Sequence, residues 1–144
     1  VRAPTKRSTA YGHFNGHIST GFDVAIIKDL CRRSIESGME GVLIYGERPD
    51  ANVHSEVNYL AFEEFSSDPD LSLEEFAKKC LTPLYGNEDA ALDAMKIMLT
   101  AETQRSDLNI RMKRLKIAKI RLEDAPDRET SRRWGQLVTV LEEK

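Results

Sequence analysis

The sequence predicts an α/β arrangement that turns all-α toward its C-terminus. Three features carry that prediction. Residues 41–46, Gly-Val-Leu-Ile-Tyr-Gly, are a strand-length run with an unbroken apolar centre. An amphipathic helix over 24–37 precedes it, and a shorter strand-like run, 9–14, precedes the helix. From Ser67 onward helix-start signals take over. The boundary is therefore placed between residues 1–66 and 67–144.

Residues 1–8 are basic and irregular. Thr9-Ala10-Tyr11-Gly12-His13-Phe14 can extend as a strand, although Gly12 weakens it. Asn15, Gly16, Ser19 and Gly21 read as loop. In the helix that follows, Val24, Ile27, Cys31 and Ile35 share a face. Asp23 stands at its N-cap, Phe22 and Ile27 have hydrophobic-staple spacing, and Gly38 closes it in a left-handed conformation. The run at 41–46 predicts a strand buried on both faces, as in a parallel sheet. Residues 9–46 thus read as a βαβ unit with a right-handed crossover. After a polar loop, Glu47 to His54, a broad apolar face predicts a buried helix over about 56–66.

Beyond Ser67, Ser72 and Glu75 have capping-box spacing, and Leu71 with Phe76 forms a second staple. Pro83 ends or kinks that helix. Asn87 caps the next, to about Gln104, with Glu88 and Asp89 complementing its dipole. A helix over about 107–122 places Leu108, Met112, Leu115 and Leu122 on one seam. Pro126 suits a first helical position, and Trp134, Leu137, Val138 and Leu141 form the last stripe. These read as a small antiparallel helical array.

Composition narrows the function classes. Forty per cent apolar residues can build a core, and a net charge of −3 argues against wholesale polyanion binding. No apolar run reaches membrane-spanning length, so a soluble protein is expected. The chain starts at Val1 with no signal-peptide pattern, and its compartment cannot be read. Cys31 and Cys80 read as buried free thiols, and no ligand cluster points to a metal. No Gly-rich phosphate loop or nucleophile elbow is present, so no cofactor is expected. Arg111, Lys113, Arg114, Lys116, Lys119 and Arg121 make one helix basic, which reads as a solvated face rather than a nucleic-acid track.

Two parallel strands cannot stand alone. The strand at 41–46 needs apolar cover and paired edges, so further strands are expected from an upstream segment or a partner chain. The chain then reads as the C-terminal piece of a larger protein.

The segment Gly38-Met39-Glu40-Gly41-Val42-Leu43-Ile44-Tyr45-Gly46-Glu47 resembles the last strand of barrel-type glycoside hydrolases. In β-hexosaminidases that strand ends in an aromatic-Gly-Glu triplet. Tyr45-Gly46-Glu47 matches it, with Tyr where those enzymes usually have Trp. Asn58-Tyr59-Leu60-Ala61-Phe62 and Asp68-Pro69-Asp70-Leu71-Ser72 resemble the end of the α-glucuronidase barrel and its passage into a helical domain. The resemblance covers residues 9–86 and is sharpest over 38–76. It implies that residues 1–66 are the terminal βαβα portion of a (β/α)8 barrel, followed by a helical C-terminal extension. It also implies a carbohydrate substrate, with the acid/base carboxylates on earlier strands of the parent enzyme.

In such barrels the carboxyl ends of the strands carry the active site. That rule places Glu47, Tyr45, Tyr11, His13 and Asn15 near substrate. The resemblance gives Glu47 the sugar hydroxyls and Tyr45 the sugar face. A carboxylate can accept two hydroxyl bonds, and an aromatic face covers the apolar side of a pyranose. The plainer alternatives are a solvated Glu47, a core Tyr45 and ordinary loop residues. His13 and His17 are four apart, but that spacing joins two metal ligands only on a helix. Asn52, His54 and Glu56 follow in a loop that could line a pocket. Glycosidic cleavage normally needs two carboxyls at a set separation, and no second one can be assigned. The expected function is a fragment of a glycoside hydrolase that contributes sugar contacts and is inactive alone. The alternative is a helical module that binds a protein partner through its C-terminal helices.

Overall fold

The computed structural model describes residues 9–12, 21–44, 48–50, 52–102 and 107–143, with the backbone alone at 9–12 and 102. The chain divides after Leu71 into two compact units. The first holds β1 (Thr9–Gly12), α1 (Val24–Glu36), β2 (Gly41–Ile44) and α2 (Val53–Ser67).

Helix α1 buries Val24, Ile27, Cys31 and Ser34. Its last buried position is Ser34 and not Ile35, which is exposed. The i, i+4, i+7 progression from Ile27 reaches Ser34, and the next residue turns outward. The Ser34 hydroxyl donates to the Leu30 carbonyl at 2.7 Å, so its burial leaves no polar group unmade. Gly38 closes the helix with φ at 70°, and the Met39 N–H reaches back to the Ser34 carbonyl. This is the left-handed closure the sequence predicts.

Helix α2 starts earlier than expected. Asn52 is its N-cap and accepts from the Ser55 N–H at 2.9 Å, which brings His54 and Glu56 into the helix rather than a loop. Its buried face carries Val53, Val57, Asn58, Ala61 and Phe65. Helices α1 and α2 pack on one another, and the apolar mass of this unit lies between them.

The expected terminal portion of a (β/α)8 barrel does not form. The chain is mainly α-helical, and its described strands are four residues each. They make one short parallel ladder, from Thr9 opposite Gly41 to Gly12 opposite Ile44. Burial of β2 on both faces also fails: Leu43 is 55% exposed, and Val42 and Ile44 are half-buried. An apolar run shows what a segment tolerates, whereas enclosure depends on which elements cover it. Here the two helices bury one another instead.

The second unit, residues 72–144, is all helix among its described residues: α3 (Leu73–Phe76), a π-helical turn (Ala77–Leu81), α4 (Thr82–Tyr85), α5 (Glu88–Glu102), α6 (Leu108–Glu123) and α7 (Arg128–Glu142). Ser72 accepts from the Glu75 N–H while the Glu75 carboxylate accepts from the Ser72 N–H, which completes the expected capping box. Asn87, Asp107 and Asp127 cap the three long helices through their side chains. Pro126 therefore precedes the cap of α7 and does not open the helix.

Pro83 does not end its helix either. A proline removes one backbone bond and crowds the carbonyl four residues back, here Lys79. Lys79 lies in the π-helical turn, whose wider ladder accommodates that crowding and lets the helix run on to Tyr85. Gly86, with φ at 104°, then breaks the chain before Asn87.

The core of this unit joins Phe76, Leu81, Tyr85, Met98, Trp134 and Leu137. The expected stripe on α7 is buried at Trp134, Leu137 and Leu141, with Val138 at its edge. The expected seam on α6 is not: Leu108 and Met112 are 70% and 58% exposed. Ala118 is the one fully buried residue described on α6. Leu115 and Leu122 are half-buried, and so is Arg111, which donates through Nε to the Leu141 carbonyl and through Nη2 to that of Val140. It satisfies carbonyls at the end of α7, which lack intrahelical partners. Among the described residues no helix is long and apolar enough to cross a membrane.

Candidate functional site

The geometry of the first unit fixes one edge. β1 and β2 run parallel, and the ladder ends with Gly12 beside Ile44. Four residues separate α1 from β2, so the C-terminus of α1 lies near the start of β2. The N-terminus of α1 then returns to the edge where Gly12 and Ile44 end. The N-terminal turns of α2 lie there too, because Asn58 reaches the residues just before α1. Its Oδ1 accepts from the Asp23 N–H at 2.9 Å, and its Nδ2 donates to the Gly21 carbonyl at 2.8 Å.

Asn58 is fully buried. Both ends of its amide engage the 21–23 backbone, which meets the requirement that a buried amide be hydrogen-bonded. Phe22, between those anchored residues, meets the His54 ring edge-on at 4.5 Å between centroids. From α1, Lys28 donates through Nζ to the Pro69 and Leu71 carbonyls at 2.7 and 2.6 Å, and lies 5.1 Å from the centre of the Phe65 ring on α2.

Asp23 differs from the N-caps of the other long helices. It stands at the N-cap of α1 but makes no side-chain cap bond. Its carboxyl is half-buried, and that desolvation holds it above the usual carboxylate range. By contrast, the Thr130 N–H and hydroxyl hold the Asp127 carboxyl below that range.

The residues singled out in sequence are described only in part. His13, Asn15, His17, Tyr45 and Glu47 lie outside the described residues. Tyr11 is described through its backbone, which pairs with Leu43. Asn52 and His54 belong to α2, one as its cap and the other against Phe22. Sequence reasoning missed Asn58, although an Asn on a face with Ala61 and Phe65 was the available signal. Asp23 is the N-cap residue the sequence predicts, without the side-chain bond that such a cap ordinarily makes.

In the second unit a cleft of about 250 Å³ is lined by Tyr85, Asn87, Arg121, Asp124, Pro126 and Trp134, among others. Tyr85 and Trp134 meet edge-to-face at 5.1 Å in its wall. Arg121 is held through Nε and Nη2 by Asp93 Oδ2, so its charge is matched within the unit. The basic character of α6 is largely used internally: Arg111 holds the end of α7, Arg121 pairs with Asp93, and Lys119 pairs with Glu142. Lys113 and Lys116 remain exposed.

Among the described residues no cluster of three His, Cys, Asp or Glu side chains could hold a metal. Cys31 is buried and Cys80 half-buried, both as free thiols, and burial pushes the Cys31 thiol up, away from the reactive thiolate. Comparison with protein-family models gives no match, and comparisons with curated proteins and with solved structures give none either.

Proposed function

We propose that this chain supplies sugar-contacting residues to a carbohydrate-active glycoside hydrolase without carrying its main catalytic carboxylates. The observation that supports this reading is the parallel pairing of Gly12 with Ile44. His13 and Asn15 follow one strand end in sequence, and Tyr45 and Glu47 follow the other. Ligands of α/β units gather outside the carboxyl ends of parallel strands, where helix N-termini also lie. The aromatic-Gly-Glu triplet adds chemistry suited to a pyranose, with a carboxylate for hydroxyls and a ring for the C–H face.

The test is ligand-observed NMR on the 144-residue chain with N-acetylglucosamine and, separately, glucuronate. Saturation transfer to one of these sugars is expected, and Glu47→Gln should weaken that binding about tenfold or more. No transfer to either sugar, or equal affinity in Glu47→Gln, would overturn the reading.

A second reading, a helical module that binds a protein partner, draws support from α6. Leu108, Met112 and Ile120 are exposed there beside Lys113 and Lys116. An acidic amphipathic helix would match that face in charge and hydropathy. Tight binding of such a peptide, with no sugar bound, would favour this reading over the first.

A further inference from the structure

The cleft of the second unit lies where two helix ends of opposite polarity meet. Asn87 and Ala90 line it from the first turn of α5, and Arg121 and Asp124 line it from the last turn of α6. Unpaired N–H groups leave the first end partly positive, and unpaired carbonyls leave the second partly negative. Glu88 and Asp89 on the first turn of α5 are exposed and do not line the cleft. Several polar groups of the lining are only partly used by the fold. The Asn87 Oδ1 accepts from the Ala90 N–H, while its Nδ2 donates to nothing among the described residues. Arg121 gives Nε and Nη2 to one Asp93 oxygen and leaves Nη1 over. The exposed Asp124 carboxylate has no hydrogen-bond or ion-pair partner among the described residues. Trp134 is 1% exposed, yet its indole N–H donates to no described group. That N–H is not sealed off, and the surface Trp134 keeps is in the wall of the cleft. A buried donor is ordinarily matched, so an unmatched one at the wall of a cavity points to an acceptor on a ligand.

We propose that this cleft binds a small apolar α-amino acid, whose carboxylate accepts from the Trp134 indole and its neighbours Asn87 and Arg121 and whose ammonium pairs with Asp124. The charges select this class. A simple anion would meet the Asp124 carboxylate, with the Arg121 charge already matched by Asp93. A simple cation would leave the Trp134 N–H without an acceptor. A zwitterion satisfies both ends, and its dipole runs with the field between the two helix termini. Bonds in which one partner is ionised are also stronger than those between neutral groups. The rest of the lining includes Ala90, Ala125 and Pro126, which suit an apolar side chain. At about 30 Å³ for each water-sized group, the 250 Å³ cleft takes roughly eight non-hydrogen atoms, the size of valine. The site lies wholly within the second unit and is independent of the carbohydrate reading.

The chain has one tryptophan, so its emission reports on this cleft. The intact 144-residue chain is titrated at neutral pH with alanine, valine and leucine, and then with N-acetylvaline and valinamide. N-acetylvaline lacks the ammonium, and valinamide lacks the carboxylate. At least one free amino acid should shift Trp134 emission saturably, with each blocked form of valine binding about tenfold or more weakly than valine itself. Two near-isosteric exchanges then separate the ends of the ligand. Asp124→Asn should weaken valine by about tenfold and leave N-acetylvaline unchanged. Asn87→Asp keeps the oxygen that caps α5 but replaces the donor with a carboxylate, so it should weaken valine by a similar factor and leave valinamide nearly unchanged. No saturable response to any of the three amino acids would overturn the proposal, as would equal affinity for valine and its blocked forms. Equal losses for valine and the blocked forms in both variants would show a general disturbance of the cleft and overturn it too. Should one variant not fold, as its thermal midpoint would show, the other is read by the same criteria.

Discussion

The two units hold themselves together by different means. In residues 72–144 the helices begin at side-chain caps and close on large apolar groups, with Trp134, Tyr85, Phe76 and Leu137 at the centre. Its longer-range polar ties, such as Arg111 onto the end of α7 and Arg121 onto Asp93, add to a core that apolar packing already defines. In residues 1–71 the apolar contribution comes mainly from α1 against α2, and the segments around them are tied by single buried or half-buried polar side chains. Asn58 holds residues 21 and 23, and Lys28 holds residues 69 and 71. A non-directional core tolerates exchange of one apolar group for another of similar volume. A two-ended amide clamp tolerates almost none, because a lost partner leaves buried polar groups unmade. A unit built on such clamps fixes particular backbone atoms in place.

The largest expected effect tests the apolar half of that contrast. Trp134 is 1% exposed and packs edge-on against Tyr85. Trp134→Ala should cost the second unit about 3–5 kcal/mol, measured by urea denaturation followed by circular dichroism. The wild-type Trp134 emission should be blue-shifted from that of indole in water. A loss below about 1 kcal/mol would mean the packing around Trp134 does not organise this unit.

The next effect tests the clamp. Asn58→Ala removes both ends of the amide and leaves the Asp23 N–H and the Gly21 carbonyl without their partner. It should cost about 2–3 kcal/mol, with the loss of hydrogen-exchange protection concentrated at residues 21–23 and on α1. Asn58→Leu, close in volume, should not restore it. Recovery by Leu would show that Asn58 acts by filling space, and the contrast between the units would collapse.

The smallest effect separates two N-cap aspartates by the sign of their pH dependence. The folded state holds Asp127 below the ordinary carboxylate range, so its contribution is complete above the unfolded value and disappears as pH falls through the folded one. The folded state holds Asp23 above that range, so stability declines as pH rises from the unfolded value through the folded one. Asp127→Asn should therefore be less stable than wild type near neutral pH, with the gap closing in acid. Asp23→Asn should gain on wild type over the rise from acid to neutral. Denaturation midpoints across pH read both, and a common sign would break the distinction.

Much of the second unit was legible in sequence because its signals are local. The capping box at Ser72 and Glu75, the cap at Asn87, and the α7 stripe each involve residues within a few turns of one another. The helix end expected near Pro83 falls two residues later, at Tyr85, because one wider helical turn absorbs the cost of the proline and local spacing does not show that turn. The α6 seam misled for a different reason. Leu108 and Met112 have the right spacing, but Arg111 takes the inward position by reaching carbonyls on α7, about thirty residues away in sequence. In the first unit the candidate residues were chosen by motif and strand polarity, and most of them lie outside the described residues. Asn58 and Asp23 acquire their roles only from one another.

The sequence by itself determined the helix starts at Asp23, Ser72 and Asn87, the left-handed turn at Gly38, and most of the apolar stripes of α1 and α7. These follow from backbone sterics and side-chain periodicity within a short window. The tertiary structure alone decided that an apolar run at 41–44 remains half exposed, that Asn58 is a clamp, and that Asp23 caps α1 without a side-chain bond. Burial and hydrogen-bond partnership belong to whatever arrives from elsewhere in the chain, and no local pattern specifies that neighbour.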